Sequence, residues 1–221
     1  EDYDQIRTIT AQDVVFSFVG ITELTNGLSL PSGSEAIILL GSEEDKIQER
    51  IKKAKEISDV CVVNIHWGNE YTYTPTERQR ELAAKMSEWG ADIIIGHHPH
   101  VIQPIEYIDR PDGSRTLVAY SLGNFISAQD RGERMIGGML DVDITKDFEQ
   151  DAVSITRCEF VPIITHYDRG FANNRLYPFS EYTEELAQSH GVRAYSPNFS
   201  REFILETVQN VIDAEFLENL S

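Results

Sequence analysis

The chain has 221 residues, of which 41% are hydrophobic and 25% are charged, a composition typical of a globular protein with a sizeable core. Its formal net charge of −18 at pH 7 argues against a nucleic-acid partner, because binding to phosphate backbones depends on Lys and Arg. An anionic substrate would therefore need a local source of positive charge, such as a bound metal ion.

Targeting signals and cysteines give little further information. No apolar run approaches the roughly 18 to 20 residues of a membrane span, and no secretion signal is recognisable. The first residue is Glu1 rather than Met, so the missing signals indicate little about the location of the parent protein. Cys61 and Cys158 each lie in an apolar run, which favours buried free thiols over a disulfide framework or a zinc site.

Strands and helices alternate in the first part of the chain. The apolar run VVFSFVG at 14–20 predicts a buried strand, and a polar loop with one apolar segment follows at 22–42. From Ser42 the apolar residues recur at helical spacing, which predicts an amphipathic helix. Its buried face is predicted to consist of Ile47, Ile51, Ala54 and Ile57. The run VCVVNIHW from Val60 predicts the second buried strand.

A second helix is predicted after the second strand. Thr74 precedes Pro75 and stands three residues before Glu77, which is the pattern of a capping box with proline at the first helical position. The helix is predicted to end at Gly90, a residue typical of helix C-termini. Its apolar face is predicted to consist of Leu82, Ala83, Met86 and Trp89.

The rest of the chain predicts further strands and a final helix. DIIIG at 92–96 and TLVAYSL from Thr116 predict two strands, and MLDVDIT and VSITRCEFVP predict an antiparallel pair. The segment THYDRGFANNRLYP predicts an ordered loop. A final amphipathic helix is predicted from Phe203, Val208, Val211, Ile212 and Phe216. This order predicts a layered α/β sheet, in which ligands bind outside the carboxyl ends of the strands.

Histidines follow two of the predicted strand ends, one at His66 and three in the segment GHHPHV. Because Pro99 favours extended geometry at His98, we expect His98 and His100 to point to one side and His97 to the other. His66, His98 and His100 are therefore the predicted metal ligands. A lone histidine is more often a hydrogen-bonded loop residue, but three at adjacent strand ends favour a metal site.

Polar residues beside these histidines are the other candidates. Glu70 is predicted to be a general base, a group that orients a ligating histidine, or a metal ligand, with a solvated surface carboxylate as an equal alternative. Asn124 in SLGNF is predicted to offer its amide to an oxyanion, although chemistry alone slightly favours an ordinary turn residue. Asn69 and His97 are predicted to contact substrate.

The remaining two histidines are predicted to be structural. His166 stands beside Tyr167 and Arg169, and this group predicts a hydrogen-bonded loop network rather than a pocket. His190 follows a predicted helix end, where a charged imidazole would complement the helix dipole.

Three segments together resemble the bacterial capsule synthesis protein family often called CapA, whose members are linked to poly-γ-glutamate capsule production. They are HWGNEY, GADIIIGHHPHVIQPIE and AYSLGNF, in this order. That family is similar to the calcineurin-like metallophosphoesterases, which hold two metal ions at the edge of an α/β sandwich. The resemblance implies that His66 matches the isolated strand-end histidine of these enzymes, and that His98 and His100 match their histidine pair.

Part of such a site has no counterpart in this sequence. These families place an Asp-rich stretch, a further acidic ligand and an Asn-His pair before the strand at Val14, and none of them occurs here. The resemblance therefore implies an α/β layered sandwich of the metallophosphoesterase type, incomplete at the N-terminus, with the histidine-rich half of a metal site. Residues 1–180 are expected to form this part of the domain, and residues 181–221 a helical C-terminal extension.

The expected function is capsule or poly-γ-glutamate biosynthesis with a divalent transition metal as cofactor, Mn, Fe and Zn not being distinguished. The parent protein is expected to be a metal-dependent hydrolase of the phosphoesterase type, and this chain alone to have little or no activity. The alternative is a non-catalytic protein that binds the anionic polymer or organises its export, through the metal or through Arg131, Arg134 and Arg169.

The resemblance also implies partners and a location. The expected partners are the capsule synthesis machinery and either poly-γ-glutamate or a phosphoester substrate. The expected location is extracytoplasmic, with the parent held by a membrane anchor that this chain lacks. An exposed sheet edge in an incomplete fold would favour a homodimer.

Overall fold

The computed structural model describes residues 5–150, 152–218 and 220 of the chain. Its larger sheet has six strands in the order β1-β2-β3-β4-β6-β5, in which the four central strands run parallel and each edge strand is antiparallel to its neighbour. The strands are β1 (Arg7–Ala11), β2 (Val14–Thr22), β3 (Val60–His66), β4 (Ile93–His97), β5 (Ile105–Asp109) and β6 (Arg115–Ala119).

Two helices, α1 (Glu44–Glu56) and α2 (Glu77–Trp89), cover one face of this sheet. Side chains alternate along β3, so Cys61, Val63 and Ile65 belong to the core shared with the helices, whereas Val60 and Val62 belong to the core on the opposite face. Burial on both faces explains why the central strands are almost continuous apolar runs. The predicted α/β class is confirmed.

The helix boundaries differ from prediction in two places. Thr76, not Thr74, caps α2: its side chain accepts from Gln79 N, and Gln79 Oε1 accepts from Thr76 N at 2.9 Å. The predicted cap was wrong because glutamine closes this capping box as well as glutamate does. Gly90 ends the helix with a φ of 110°, as predicted. Ile57 lies just past α1 and is 53% exposed, so its predicted burial is wrong.

A second sheet packs on the face of the first sheet that the helices leave free. It consists of β7 (Ile136–Asp147), β8 (Ala152–Asp168) and β9 (Ala172–Pro178), all antiparallel. The predicted antiparallel pair is confirmed. The predicted loop THYDRGFANNRLYP is wrong, because β8 continues to Asp168 and pairs with β9. A ladder of backbone hydrogen bonds forms whatever the polarity of the side chains, and so the composition of this segment was misleading.

The C-terminal segment contains α3 (Glu184–Ser189) and α4 (Arg201–Val211). The predicted final helix is confirmed, although Ile212 and Phe216 lie beyond its end and are buried there. Side chains after residue 180, such as Tyr182, Phe199 and Val208, belong to the same hydrophobic cluster as the second sheet. In the part of the chain that the structure describes, no helix is both long and apolar enough to cross a membrane.

Candidate metal centre

The candidate residues lie on loops that follow β3, β4 and β6 at the carboxyl edge of the parallel strands. His66 and His97 are the last residues of β3 and β4, and they pair in register. Beyond them the two loops stay joined, since Trp67 N donates to His97 O at 3.1 Å and Tyr71 N donates to Pro99 O at 2.7 Å. These backbone hydrogen bonds hold the loop after β3 against the loop after β4.

Two fully buried glutamines tie the same loops to helix α2. Gln79 Nε2 donates to Gln103 Oε1 at 3.0 Å, and Gln103 Nε2 donates to Thr72 O at 2.8 Å. A buried amide is costly unless it is hydrogen-bonded, so this pair favours a single arrangement of the loops. Sequence reasoning missed both residues, because nothing in the spacing of a glutamine marks it as buried.

Gly96 allows the close packing beneath the histidine segment. A Cβ atom at Gly96 would collide with Tyr120 O and with the Trp67 indole nitrogen. Trp67 is fully buried, and its Nε1 donates to Tyr120 O at 2.9 Å. The absence of a side chain at Gly96 therefore lets β4 lie directly against this hydrogen bond.

Glu70, His98 and His100 form a group whose potential ligand atoms all lie within 4.8 Å of one another. His100 Nε2 is 3.8 Å from Glu70 Oε1. His98 Nδ1 is buried and has no hydrogen-bond partner among the described residues. Two imidazoles and one carboxylate are a donor set that suits a divalent transition metal, and an imidazole nitrogen without a partner is consistent with a ligand position. The residues present therefore fit a metal ion.

The backbone of the segment from His98 to His100 was predicted to be extended, and this prediction is wrong. His98 and His100 have φ values of 100° and 59°, in the region that side chains other than glycine rarely adopt, and Tyr71 has a φ of 63°. The predicted convergence of His98 and His100 is therefore present, but two left-handed residues produce it rather than strand alternation. Such strain is concentrated at functional sites, where surrounding contacts enforce it.

Asn124 fixes the tautomer of His100. Its Nδ2 donates to two carbonyl oxygens, His100 O at 3.3 Å and Arg134 O at 3.0 Å, so its Oδ1 must face the imidazole. That oxygen is 2.9 Å from His100 Nδ1, which is therefore the protonated nitrogen. In the neutral tautomer that this hydrogen bond selects, the lone pair is on Nε2, which faces Glu70, as a metal ligand requires.

His66 lies beside this group, with its ring centroid 4.4 Å from that of His98. Thr22 Oγ1 donates to Leu24 O at 2.6 Å, so the same hydroxyl accepts from His66 Nδ1 at 3.3 Å and leaves Nε2 unprotonated. Burial lowers the pKa of His66 and of His98. Both imidazoles therefore favour the neutral form, which binds metals.

Asn69 and His97 are both exposed. Asn69 O accepts from Thr72 Oγ1 at 3.1 Å, which closes the turn that contains Glu70. His97 lines a separate open cavity of about 400 Å³ with His66, rather than joining the group of Glu70, His98 and His100.

The remaining two histidines are buried against the second sheet. His166 lies in β8, 1% exposed, with its Nδ1 2.9 Å from the Tyr182 hydroxyl, so the predicted loop network is wrong. His190 Nε2 lies 2.9 Å from Thr165 O, and its Nδ1 accepts from Val192 N at 2.9 Å. Burial lowers the pKa of His190 to about 4. His190 is therefore neutral at pH 7, and the prediction that its charge complements the helix dipole is wrong.

Comparison with known proteins finds a family model and two curated relatives that carry names of capsule or PGA synthesis proteins. The sequence model of the family described as bacterial capsule synthesis protein PGA_cap matches residues 6–129. The PGA biosynthesis protein CapA of Bacillus subtilis (strain 168) is 34% identical over 154 residues, which are 68% of this chain and 39% of that protein. The capsule biosynthesis protein CapA of Bacillus anthracis is 43% identical over 94 residues, 41% of this chain and 22% of that protein.

Among solved structures, the NAD nucleotidase NadN of Haemophilus influenzae aligns with 97% of this chain and 39% of its own, with 12% identity and a TM-score of 0.45. This chain spans well under half the length of both curated relatives. The family match covers more than half of the described sequence and includes every residue of the candidate metal centre. The chain therefore belongs to the bacterial capsule synthesis protein family PGA_cap.

Proposed function

We propose that this chain carries the histidine-rich part of a phosphoesterase-type metal centre and acts in the biosynthesis of a bacterial capsule of the poly-γ-glutamate kind. The observation that carries the proposal is the convergence of Glu70, His98 and His100 within 4.8 Å at the carboxyl edge of the sheet. The names of the curated relatives support the capsule assignment.

In this proposal His98, His100 and Glu70 hold the ion. The His66 ring lies beside that of His98 and is a further candidate ligand. A divalent metal supplies Lewis acidity toward a phosphoryl or carbonyl oxygen when it is bound there. Mn, Fe and Zn all accept this mixture of imidazole and carboxylate donors.

The other side chains orient these donors. Asn124 keeps the proton of His100 on Nδ1 and turns Nε2 toward the centre. Glu70 is 43% exposed, so it can either bind the ion or accept a proton from a substrate group that enters from solvent. Asn69 and His97 flank the two loops, and we propose that they contact the substrate.

A second candidate function is metal-dependent binding of the anionic polymer without hydrolysis. The openness of the centre favours it, since Glu70 and His100 are 43% and 32% exposed and would admit a long chain from the side. Either function would place the protein with the capsule synthesis machinery outside the cytoplasm, and we propose that setting as well.

Metal binding tests the proposal. Isothermal titration of the metal-free chain with Zn²⁺ and Mn²⁺ should give one site, and the double variant H98A/H100A should lose more than about 100-fold in affinity, beyond the roughly 10- to 100-fold typical of groups around the ligands. The matched control is H97A, which removes the neighbouring imidazole that lies outside the group. Equal affinity in H98A/H100A and the unmodified chain would refute the metal centre.

Hydrolysis separates the two candidate functions. Turnover of a generic phosphodiester by a full-length relative, lost in the variant equivalent to H98A, would support the phosphoesterase. Metal-dependent retention of γ-linked polyglutamate without turnover would support the binding protein. Appreciable turnover by this chain alone, abolished by H98A, would contradict the expectation that it has little activity by itself.

A further inference from the structure

The guanidinium of Arg134 lies beside the candidate metal centre, and no carboxylate of the described residues is within hydrogen-bond distance of it. Its side chain is 19% exposed, and its Nε is buried without a hydrogen-bond partner among the described residues. The nearest carboxylate oxygen, Asp130 Oδ1, lies 3.6 Å from Nη1, beyond hydrogen-bond distance. A mostly buried cation without acceptors is costly in free energy, and it is an arrangement that an anionic ligand would stabilise.

Four other arginines of this acidic protein are closely paired with carboxylates. Each of the following has a carboxylate oxygen within 3.0 Å: Arg78, Arg110, Arg157 and Arg175. With a net charge of −18, the chain has many more carboxylates than it needs to neutralise its arginines. Arg134 differs from these four in that, among the described residues, its nearest carboxylate oxygen lies beyond hydrogen-bond distance although its side chain is mostly buried.

Contacts join Arg134 to the metal centre in two ways. Its carbonyl oxygen accepts from Asn124 Nδ2, and the same amide fixes His100 through Oδ1. Its guanidinium carbon lies 3.6 Å from the centroid of the Tyr71 ring, and that ring also stacks on His100 with a centroid distance of 5.8 Å. Tyr71 follows Glu70 in the chain. Arg134 thus contacts Tyr71 and Asn124, which in turn contact the candidate ligand His100, and Tyr71 is the chain neighbour of the candidate ligand Glu70.

The stack on Tyr71 holds the guanidinium in place without neutralising it. A cation over an aromatic face is attracted by the ring but keeps its hydrogen-bond donors free at the edge. Because Nε is buried, the Nη groups are the accessible part of that edge. Two Nη donors in one plane match the two oxygens of a phosphoryl or carboxylate group.

We propose that Arg134 binds an oxyanion group of the ligand at the candidate metal centre and so selects anionic ligands for it. This inference rests on the proposed function and adds that the substrate carries an oxyanion group, which Arg134 binds. A local cation is needed because the acidic surface repels an anion at long range. Asp130 weakens the site by partial neutralisation, so its charge sets how strongly Arg134 attracts the oxyanion.

The experiment measures binding of inorganic phosphate and, separately, glutarate to the metal-free chain by isothermal titration. R134Q should reduce the affinity for at least one of the two about 10-fold, and R134K should reduce it less, since charge without the planar fork keeps part of the attraction. D130N should increase it. The control R115Q removes the same charge from an exposed guanidinium that stacks on Tyr107 at the start of β6, at the opposite edge of the sheet, and should change the affinity less than about 2-fold.

The two probes distinguish the source of the oxyanion. An effect of R134Q on phosphate alone indicates a phosphoester ligand, and an effect on glutarate alone indicates the carboxylates of a polymer. Equal binding by R134Q and the unmodified chain, equal losses in R134Q and R115Q, or no binding of either probe would overturn the inference.

Metal titrations separate this result from the proposed function. The backbone carbonyl of Arg134 holds Asn124 whatever the side chain is, so R134Q should keep the Zn²⁺ affinity of the unmodified chain. Loss of metal binding in H98A/H100A with no effect of R134Q on the anions refutes Arg134 alone. An effect of R134Q on the anions in a chain that binds no metal refutes the metal centre alone.

Discussion

Two groups of histidines in this chain differ in how their nitrogens are satisfied. In the buried pair, His190 uses both ring nitrogens for main-chain partners, and His166 bonds to Tyr182 through Nδ1 while its Nε2 lies 3.7 Å from Asp168 Oδ1. In the group at the strand ends, His98 Nδ1 has no hydrogen-bond partner among the described residues, and His100 Nε2 faces a carboxylate. The clearest contrast is between His190 and His98, since complete hydrogen bonds indicate a structural role, whereas a buried nitrogen without a partner indicates a ligand-binding role.

The largest expected effect is on stability, at the buried pair. H190A removes a fully packed ring and two hydrogen bonds, so the free energy of unfolding should fall by about 4 kcal/mol. H98A should change it by no more than about 0.5 kcal/mol, because His98 Nδ1 has no hydrogen bond to any described residue that the substitution would break. Urea unfolding of both variants measures the difference. Equal losses would erase the distinction between the groups.

The next effect concerns pH. The pKa of His190 is about 4 in the folded chain and 6.5 when unperturbed, so the unfolded state binds more protons between these values. The free energy of unfolding should therefore fall as pH drops from about 6.5 to about 4, by up to about 3 kcal/mol from this residue. Unfolding curves of the chain and of H190Q measure this share. The same slope in both would show that His190 is not responsible.

A smaller effect is expected at the residue that orients His100. N124A removes the acceptor that holds the proton on Nδ1, so the affinity for Zn²⁺ should fall about 10- to 100-fold. The control N69A removes an exposed amide from the neighbouring loop and should bind Zn²⁺ as the unmodified chain does. Unchanged affinity in N124A would mean that the tautomer of His100 does not depend on Asn124.

The smallest effect sharpens the account of the buried pair. Y182F deletes only the hydroxyl that bonds His166 Nδ1, so the free energy of unfolding should fall by about 1 kcal/mol. Thermal unfolding measures it, with Y71F as a control, because Tyr71 is exposed and its stacking does not use the hydroxyl. A stabilised Y182F would show that the hydroxyl is poorly accommodated.

Much of the sheet could be predicted from sequence because burial on both faces makes the central strands apolar. The strands that begin at Val14 and Val60 were predicted for this reason. The edge strands β1 and β5 were not, since their side chains are mostly exposed or half-buried and carry no such pattern. Strand β9 was missed for the same reason, since its side chains are exposed or half-buried.

The candidate site was predicted in part. The residue types and their places at strand ends identified His66, His98, His100 and Glu70. The left-handed backbone at His98 could not be predicted, since the following proline favours an extended residue. The partners Gln79, Gln103 and Tyr71 depend on contacts between loops, and no local pattern reports those contacts.

The most direct test is an NMR titration of the ¹⁵N-labelled chain with Zn²⁺, in which the ring-nitrogen signals of all six histidines are followed at once. The account predicts that His98 and His100 shift with saturation at one equivalent, that free His100 is protonated on Nδ1, and that His166 and His190 do not change. Shifts at His166 and His190, or none at His98 and His100, would contradict it.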